Sequence, residues 1–180
     1  MSKKILVTGG NGLVGSNFKG KKNYVTWGRD HCDLRNKYSV EKSMSEEIFD
    51  GVIHAAAKVG GLGGNMNFKG EFFYENIMIN TNVIETARKT RVENLVCFLS
   101  TCVFPNDVEY PLTEKNIHMG PPHFSNDAYA YAKRMADIQI RAYREQYGLN
   151  YKSVIPTNIY GINDNFDIEN GHVVPSLIHK

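Results

Sequence analysis

A doubly wound parallel α/β sheet is the fold class this sequence predicts. Three observations point to it: five short continuous apolar runs, helical stretches between them, and a glycine-rich turn directly after the first run. The runs occupy 5–7, 24–27, 52–54, 95–99 and 153–155. Apolar character that is continuous rather than alternating marks a strand covered on both faces, so five buried strands are expected. Helices are expected from Leu13, over 37–49, over 72–91 and over 129–147, the last ending at Gly148 as helices often do. Only Lys19 to Asn23 separate the first helix from the second run, so that helix must be stunted. The segment 103–126 is rich in Pro, Asn, Asp and His and reads as a long irregular loop of the kind that more often serves function than idles. Loop residues return after Pro156 (Gly161, Asn163, Asp164, Asn165, Asn170, Gly171), before an apolar stretch at 173–178.

With 180 residues, 42% of them hydrophobic, the chain is long enough for one core of ordinary size. Its formal charge is only +2, and Lys and Arg are scattered, so no nucleic-acid or polyanion surface is indicated. Cys32, Cys97 and Cys102 are an odd set without paired spacing, which argues against a disulfide framework and suits a reducing compartment. The apolar burst after Lys4 is too short for a targeting or membrane helix, so a soluble, cytoplasmic protein is expected. His31, His54, His118, His123 and His179 lack the Cys or carboxylate spacing of a metal site, and no metal is expected.

Gly9, Gly12 and Gly15 form G-x-x-G-x-x-G between the first strand and the first helix, where a Rossmann-like unit places its phosphate turn. Missing side chains let a pyrophosphate approach backbone N–H groups, so Gly9, Gly10, Asn11, Gly12, Leu13, Val14 and Gly15 are candidate dinucleotide contacts. A turn built only for tight packing is the bland alternative. At the end of the second strand, where NAD enzymes commonly carry an acid, stands Trp27-Gly28-Arg29. Arg29 can pair with the extra phosphate of NADP, which favours NADP(H), although Asp30 and Asp33 nearby keep the acidic ribose contact in competition.

Tyr129 and Lys133 are four apart on an expected helix and project from one face; with Ser100 at the end of a strand and the glycine turn upstream, the set resembles the extended short-chain dehydrogenase/reductase superfamily. The resemblance implies that Tyr129 exchanges a proton with a carbonyl or alcohol oxygen and that Ser100 hydrogen-bonds that oxygen. Lys133 would hold the nicotinamide ribose and bring the phenol down from its ordinary pKa of about 10.

The likeness narrows in several stretches: Ala55-Ala56-Ala57-Lys58-Val59-Gly60-Gly61, Leu99-Ser100-Thr101-Cys102-Val103-Phe104-Pro105, Tyr129-Ala130-Tyr131-Ala132-Lys133-Arg134-Met135, Ile155-Pro156-Thr157-Asn158-Ile159-Tyr160-Gly161, Asp164-Asn165-Phe166 and Gly171-His172-Val173-Val174-Pro175. Together they resemble the GDP-L-fucose synthase family from the first strand to Lys180. That resemblance implies NADPH-dependent 3,5-epimerisation and 4-reduction of GDP-4-keto-6-deoxy-D-mannose. A ketone at carbon 4 acidifies the protons at carbons 3 and 5, and inverting those carbons takes a base and an acid on opposite faces. By resemblance Cys102 is the base, working as thiolate, and His172 the acid, while Tyr129 stabilises the enolate. The same likeness assigns Leu99, Ser100, Thr101, Lys133, Pro156, Thr157, Asn158, Ile159 and His172 to the cofactor and Lys180 to the sugar-nucleotide diphosphate. It implies a homodimer through helices 72–91 and 129–147.

The bland readings are a core cysteine at Cys102 and a surface histidine at His172; Cys97, inside a strand, is assigned to the core. Residues 1–160 are expected to form the NADP(H)-binding domain and 161–180 the start of a substrate-binding region. Family members continue further, so most of the substrate domain is expected to be missing and apolar surface left exposed. Another sugar-nucleotide epimerase or dehydratase, or a dinucleotide-binding module without catalysis, are the alternatives.

Overall fold

The computed structural model describes residues 3–168 and 171–180; Asn170 lies outside the described residues. Five strands, β1 (Ile5–Thr8), β2 (Tyr24–Trp27), β3 (Gly51–His54), β4 (Asn94–Phe98) and β5 (Asn150–Val154), form one all-parallel sheet in the order β2-β1-β3-β4-β5. The order reverses between β1 and β3, and in open α/β sheets ligands bind outside the carboxyl ends at that point. Register aligns those ends: Thr8 pairs with Trp27 and with His54, and His54 with Cys97. The connections after all five strands therefore leave from one edge.

Between the strands run α1 (Lys37–Ser45), α2 (Leu62–Asn67), α3 (Lys69–Lys89) and α4 (Asp127–Tyr147), with α5 (Val173–His179) after β5. Asn36 caps α1 by accepting from the amides of Tyr38 and Ser39. Gly148 ends α4 in the left-handed region at φ 68°, as its position predicts. The stunted first helix is a four-residue 3₁₀ turn, Gly15–Phe18. The core holds Leu6, Val40, Met44, Val52, Val83, Ile84, Leu95, Ile140 and Tyr151. Cys97 belongs to it, and burial pushes its thiol up to about 11.

Three boundaries differ from the sequence reading. Strands β2 and β5 lie at the two sheet edges and are not buried on both faces: β2 leaves Tyr24 exposed, and β5 alternates, with Tyr151 inside and Asn150 and Lys152 exposed. A search for continuous apolar runs therefore finds only the end of β5. Helix α1 stops at Ser45, and Phe49 reaches the core from the connection to β3. The helix expected from Phe72 begins at Lys69 and follows a separate short helix, α2.

Segment 103–126 is irregular, as expected, but firmly held. Pro105 bridges Pro122, and the buried guanidinium of Arg134 donates to the carbonyls of Val103 and Gly120, each at 2.7 Å. Helix α5 leaves Val173, Leu177 and Ile178 exposed. No helix among the described residues is long and apolar enough to cross a membrane.

Helices α3 and α4 are joined by Glu85, which accepts from Arg88 Nε and Nη2 and, at 2.7 Å, from Tyr143 Oη. The Arg88 hydrogen bonds, opposed by partial burial and assisted by Tyr143, hold its carboxyl at about 2. The folded value lies below the unfolded one, so the stabilisation is complete above the ordinary carboxylate range and is lost as pH falls toward 2. Glu85→Gln is expected to cost about 1–2 kcal/mol at pH 7, after discounting for solvent screening, and clearly less at pH 3. Urea midpoints at the two pH values check this; an equal loss at both contradicts it.

Candidate active site

The turn after β1 is shaped by the absence of side chains. Gly9 sits at φ +77°, and a Cβ there would lie 2.8 Å from the backbone nitrogen of Ala56. At Gly15 a Cβ would overlap the carbonyl of Gly9. The amides of Gly10 and Gly12 bond Trp27 and Gly9 carbonyls, whereas those of Leu13 and Val14 have no partner among the described residues. The turn leads into a 3₁₀ turn rather than an α-helix, so individual N–H groups, and little helix dipole, face an anion. A pyrophosphate fits this cradle.

Asn11 ties the turn to the end of β2: its Nδ2 donates to Asp30 Oδ1 at 2.9 Å, and its Oδ1 accepts from Lys19 at 2.7 Å. Asp33 is gripped by Arg35 through Nε and Nη2, both at 2.9 Å. Both carboxylates that compete with Arg29 for a ribose are thus already engaged. Arg29 is exposed, and with Lys42 of α1 it lines a cavity of about 400 Å³. Lys42 is a residue the sequence reading missed, since only the fold of α1 brings it beside Arg29.

Behind the turn lies a buried polar chain. Thr8 Oγ1 is 2.7 Å from His54 Nδ1, and His54 Nε2 is 3.0 Å from Asn80 Oδ1. Burial, with Lys133 nearby, pushes His54 down to about 3, so the ring is neutral. Nε2 then donates to Asn80, and the Thr8 hydroxyl donates to Nδ1.

At the end of β4 the chain turns through Ser100 into a 3₁₀ turn, Thr101–Val103, with Ser100 Oγ accepting from Cys102 N at 3.4 Å. The first turn of α4 packs Tyr129 against this segment, with the Ser100 hydroxyl near enough to act on the phenol. Lys133, one turn on and 1% exposed, donates to Phe98 O at 2.9 Å and lies 5.9 Å from the Tyr129 ring centre. Ser100, Cys102, Tyr129 and Lys133 are therefore together. Asn126, just before α4, donates from Nδ2 to Cys102 Sγ at 3.0 Å. It too escaped the sequence reading, because an Asn in front of a helix reads as an ordinary cap.

The expected fall of the Tyr129 pKa is not found. Burial raises it, the nearby Cys102 and Cys97 sulfurs add to the rise, and the Ser100 hydroxyl only partly opposes them. Lys133 is itself pushed down by burial, with its ammonium turned to a carbonyl. The phenol thus keeps its proton, the form needed to donate.

His172 is not brought into this group. It stands at the N-terminal boundary of α5 without a capping side-chain bond, is half exposed, and has its Nδ1 3.8 Å from Asp164 Oδ1. Pro156, Thr157, Asn158 and Ile159 follow β5 at the same sheet edge as the glycine turn, and Lys180 ends α5 in solvent.

A phosphate cradle at the switch point and a Ser-Tyr-Lys set on the neighbouring strand and helix define a dinucleotide-binding domain of the reductase and epimerase class. The family model for the NAD dependent epimerase/dehydratase family matches residues 5–180, and the chain belongs to that family. It is 49% identical to a GDP-L-fucose synthase of Dictyostelium discoideum over 98% of its length. It is 36% identical to a GDP-L-fucose synthase of Escherichia coli, over 100% of its length. The alignments cover 58% of each relative, so the chain spans little more than half their length. A solved GDP-L-fucose synthetase from Naegleria fowleri, bound to NADP, superposes with a TM-score of 0.90 at 45% identity, covering 99% of this chain and 61% of that one.

Proposed function

We propose that this chain carries the cofactor half and the proton-transfer groups of an NADPH-dependent enzyme converting GDP-4-keto-6-deoxy-D-mannose to GDP-L-fucose, by epimerisation at carbons 3 and 5 and reduction at carbon 4. The observation that carries this reading is the Cys102 sulfur in the turn after β4, next to Ser100 and packed against the start of α4, which holds Tyr129 and Lys133. Ketone reduction needs one proton donor, which Tyr129 supplies; a thiol in the same site adds a second proton carrier. The likeness to proteins named GDP-L-fucose synthase supports the same reading.

In this reading residues 1–160 bind the dinucleotide and 161–180 begin the substrate-binding region. Bound NADPH supplies the hydride that reduces carbon 4. Residues Gly9 to Gly15 hold the pyrophosphate, Arg29 and Lys42 the extra phosphate, and Leu99, Thr101, Lys133, Pro156, Thr157, Asn158 and Ile159 the nicotinamide end. Cys102, as thiolate, removes the acidified protons at carbons 3 and 5. His172, which stands apart from this group in the free chain, would supply a proton to each carbon on the other face, and Lys180 would meet the diphosphate. Tyr129 and Ser100 hydrogen-bond the carbon 4 oxygen while it carries enolate charge; Tyr129 then gives up its proton as that oxygen becomes an alcohol. A phenol that holds its proton firmly suits this order of events. Tyr131, Met135 and Ile138, exposed on one face of α4, support a homodimer through α3 and α4.

Two experiments test this reading. In a form of the protein with the complete substrate-binding region, Cys102→Ser is expected to slow exchange of the carbon 3 and carbon 5 protons with deuterated solvent by about 10²-fold or more. NADPH affinity should not change, and undiminished exchange would remove the base assignment. NADPH is expected to bind more tightly than NADH, with the preference reduced in Arg29→Ala; calorimetric titration showing equal affinities in the parent protein contradicts the phosphate role.

A further inference from the structure

We propose that Asn126 is the positioning residue of the Cys102 base: its amide holds the sulfur in place and stabilises it as the anion. This inference rests on the reading of Cys102 as the proton-abstracting group. Asn126 Nδ2 donates to Cys102 Sγ at 3.0 Å across 24 residues of sequence. A hydrogen bond to a charged acceptor is roughly twice as strong as one to a neutral acceptor, so this donor favours thiolate over thiol.

Asn126 occupies the cap position of α4, where Asn ordinarily accepts from the amides of the first turn. Its side chain makes no such bond. The cap is forgone and the amide turned to the sulfur instead, while Asp127 Oδ1 accepts from Ala128 N at 2.8 Å. Asn126 Oδ1 is buried with no hydrogen-bond partner among the described residues. If the amide were turned over, the orphan would be an N–H donor, which folded proteins leave unpaired more rarely than a carbonyl oxygen. The orientation that points N–H at sulfur is therefore the favoured one.

The backbone around Asn126 is fixed from several sides. Its N–H bonds His123 O, and its carbonyl accepts from Ala130 N. Lys69 of α3 donates to Phe124 O at 2.6 Å and to Asp127 Oδ1 at 2.8 Å, clamping the residues on either side. On the other partner, Ser100 Oγ accepts from the Cys102 amide. Donor and sulfur are each held before any substrate arrives, which is what a positioning contact requires.

The test reads the sulfur directly, without turnover. Cys32 and Cys97 are buried and Cys102 is not, so iodoacetamide, an uncharged alkylating agent, reports on Cys102, with the modified site located by mass spectrometry. Two variants that keep a helix-capping side chain are used. Asn126→Asp has the same shape but no N–H donor, and the Asn126→Thr hydroxyl stops one bond short of the amide nitrogen. Both are expected to slow alkylation of Cys102 at neutral pH by about tenfold, while NADPH affinity, the check on folding, stays within about twofold. If either variant binds NADPH normally and alkylates within twofold of the parent rate, or faster, the proposal is overturned. The base reading stands or falls separately: slowed alkylation together with undiminished deuterium exchange in Cys102→Ser would keep Asn126 as the holder of this sulfur and remove the sulfur from the reaction.

Discussion

Tyr129→Phe is expected to lower the rate of ketone reduction by about 10²–10⁴-fold, the range by which a positioned acid or base accelerates proton transfer. The effect should appear in kcat rather than in NADPH affinity. The ring stays where α4 holds it, 8% exposed, and only the hydroxyl is lost. Because the same hydroxyl is proposed to face the developing enolate charge, proton exchange at carbons 3 and 5 should slow as well, in contrast to Cys102→Ser, which should spare the reduction of an already epimerised ketone. Stopped-flow oxidation of NADPH with the epimerised substrate separates the two. Reduction within about threefold of the parent rate in Tyr129→Phe would be far below the effect of removing a catalytic acid and would contradict its role.

The glycine turn predicts the second large effect. A methyl group at Gly15 would overlap the Gly9 carbonyl and sit 3.0 Å from Gly10 Cα, and these are backbone atoms that cannot swing away. Gly15→Ala is expected to destabilise the fold by about 3 kcal/mol and to weaken NADPH binding by at least about 10²-fold. Gly12→Ala should separate fold from ligand. Its Cβ would meet only Gly9 O, at 3.4 Å, so the free protein should be nearly as stable as the parent while the cradle is filled. Thermal unfolding with and without NADPH reads both; a Gly15→Ala protein with normal stability and normal affinity contradicts this account of the turn.

These effects are tied to residues that the linear sequence displays well. Strands β1 and β3 are legible because burial on both faces leaves continuous apolar runs, while β2 and β4 show through apolar runs that are only partly buried; the register of a parallel sheet then brings their following turns to one edge. Strand β5 is only half legible, because an edge strand alternates and Tyr151 is flanked by exposed Asn150 and Lys152. Helix α2 carries two glycines and little apolar periodicity; its first turn is closed by the Asn65 side chain donating to the carbonyls of Gly60 and Gly61, a contact no propensity encodes.

In the site, Tyr129 and Lys133 could be read because four-residue spacing on a helix fixes their common face. Lys42 and Asn126 could not, since each matters through a partner on another element. The charge state of Tyr129 also lay outside the sequence: the spacing to Lys133 suggests a lowered pKa, but burial and the nearby Cys102 and Cys97 sulfurs reverse it.

One incubation tests the central claim, that a single site joins two proton carriers to one cofactor. A form of the protein with the complete substrate-binding region is mixed with GDP-4-keto-6-deoxy-D-mannose and NADPH in deuterated water, and the product is read by NMR. The account predicts GDP-L-fucose with deuterium at carbons 3 and 5 and the NADPH-derived hydrogen at carbon 4. A product reduced at carbon 4 but carrying no deuterium at carbons 3 and 5 would mean that the Cys102 sulfur moves no proton, and would contradict it.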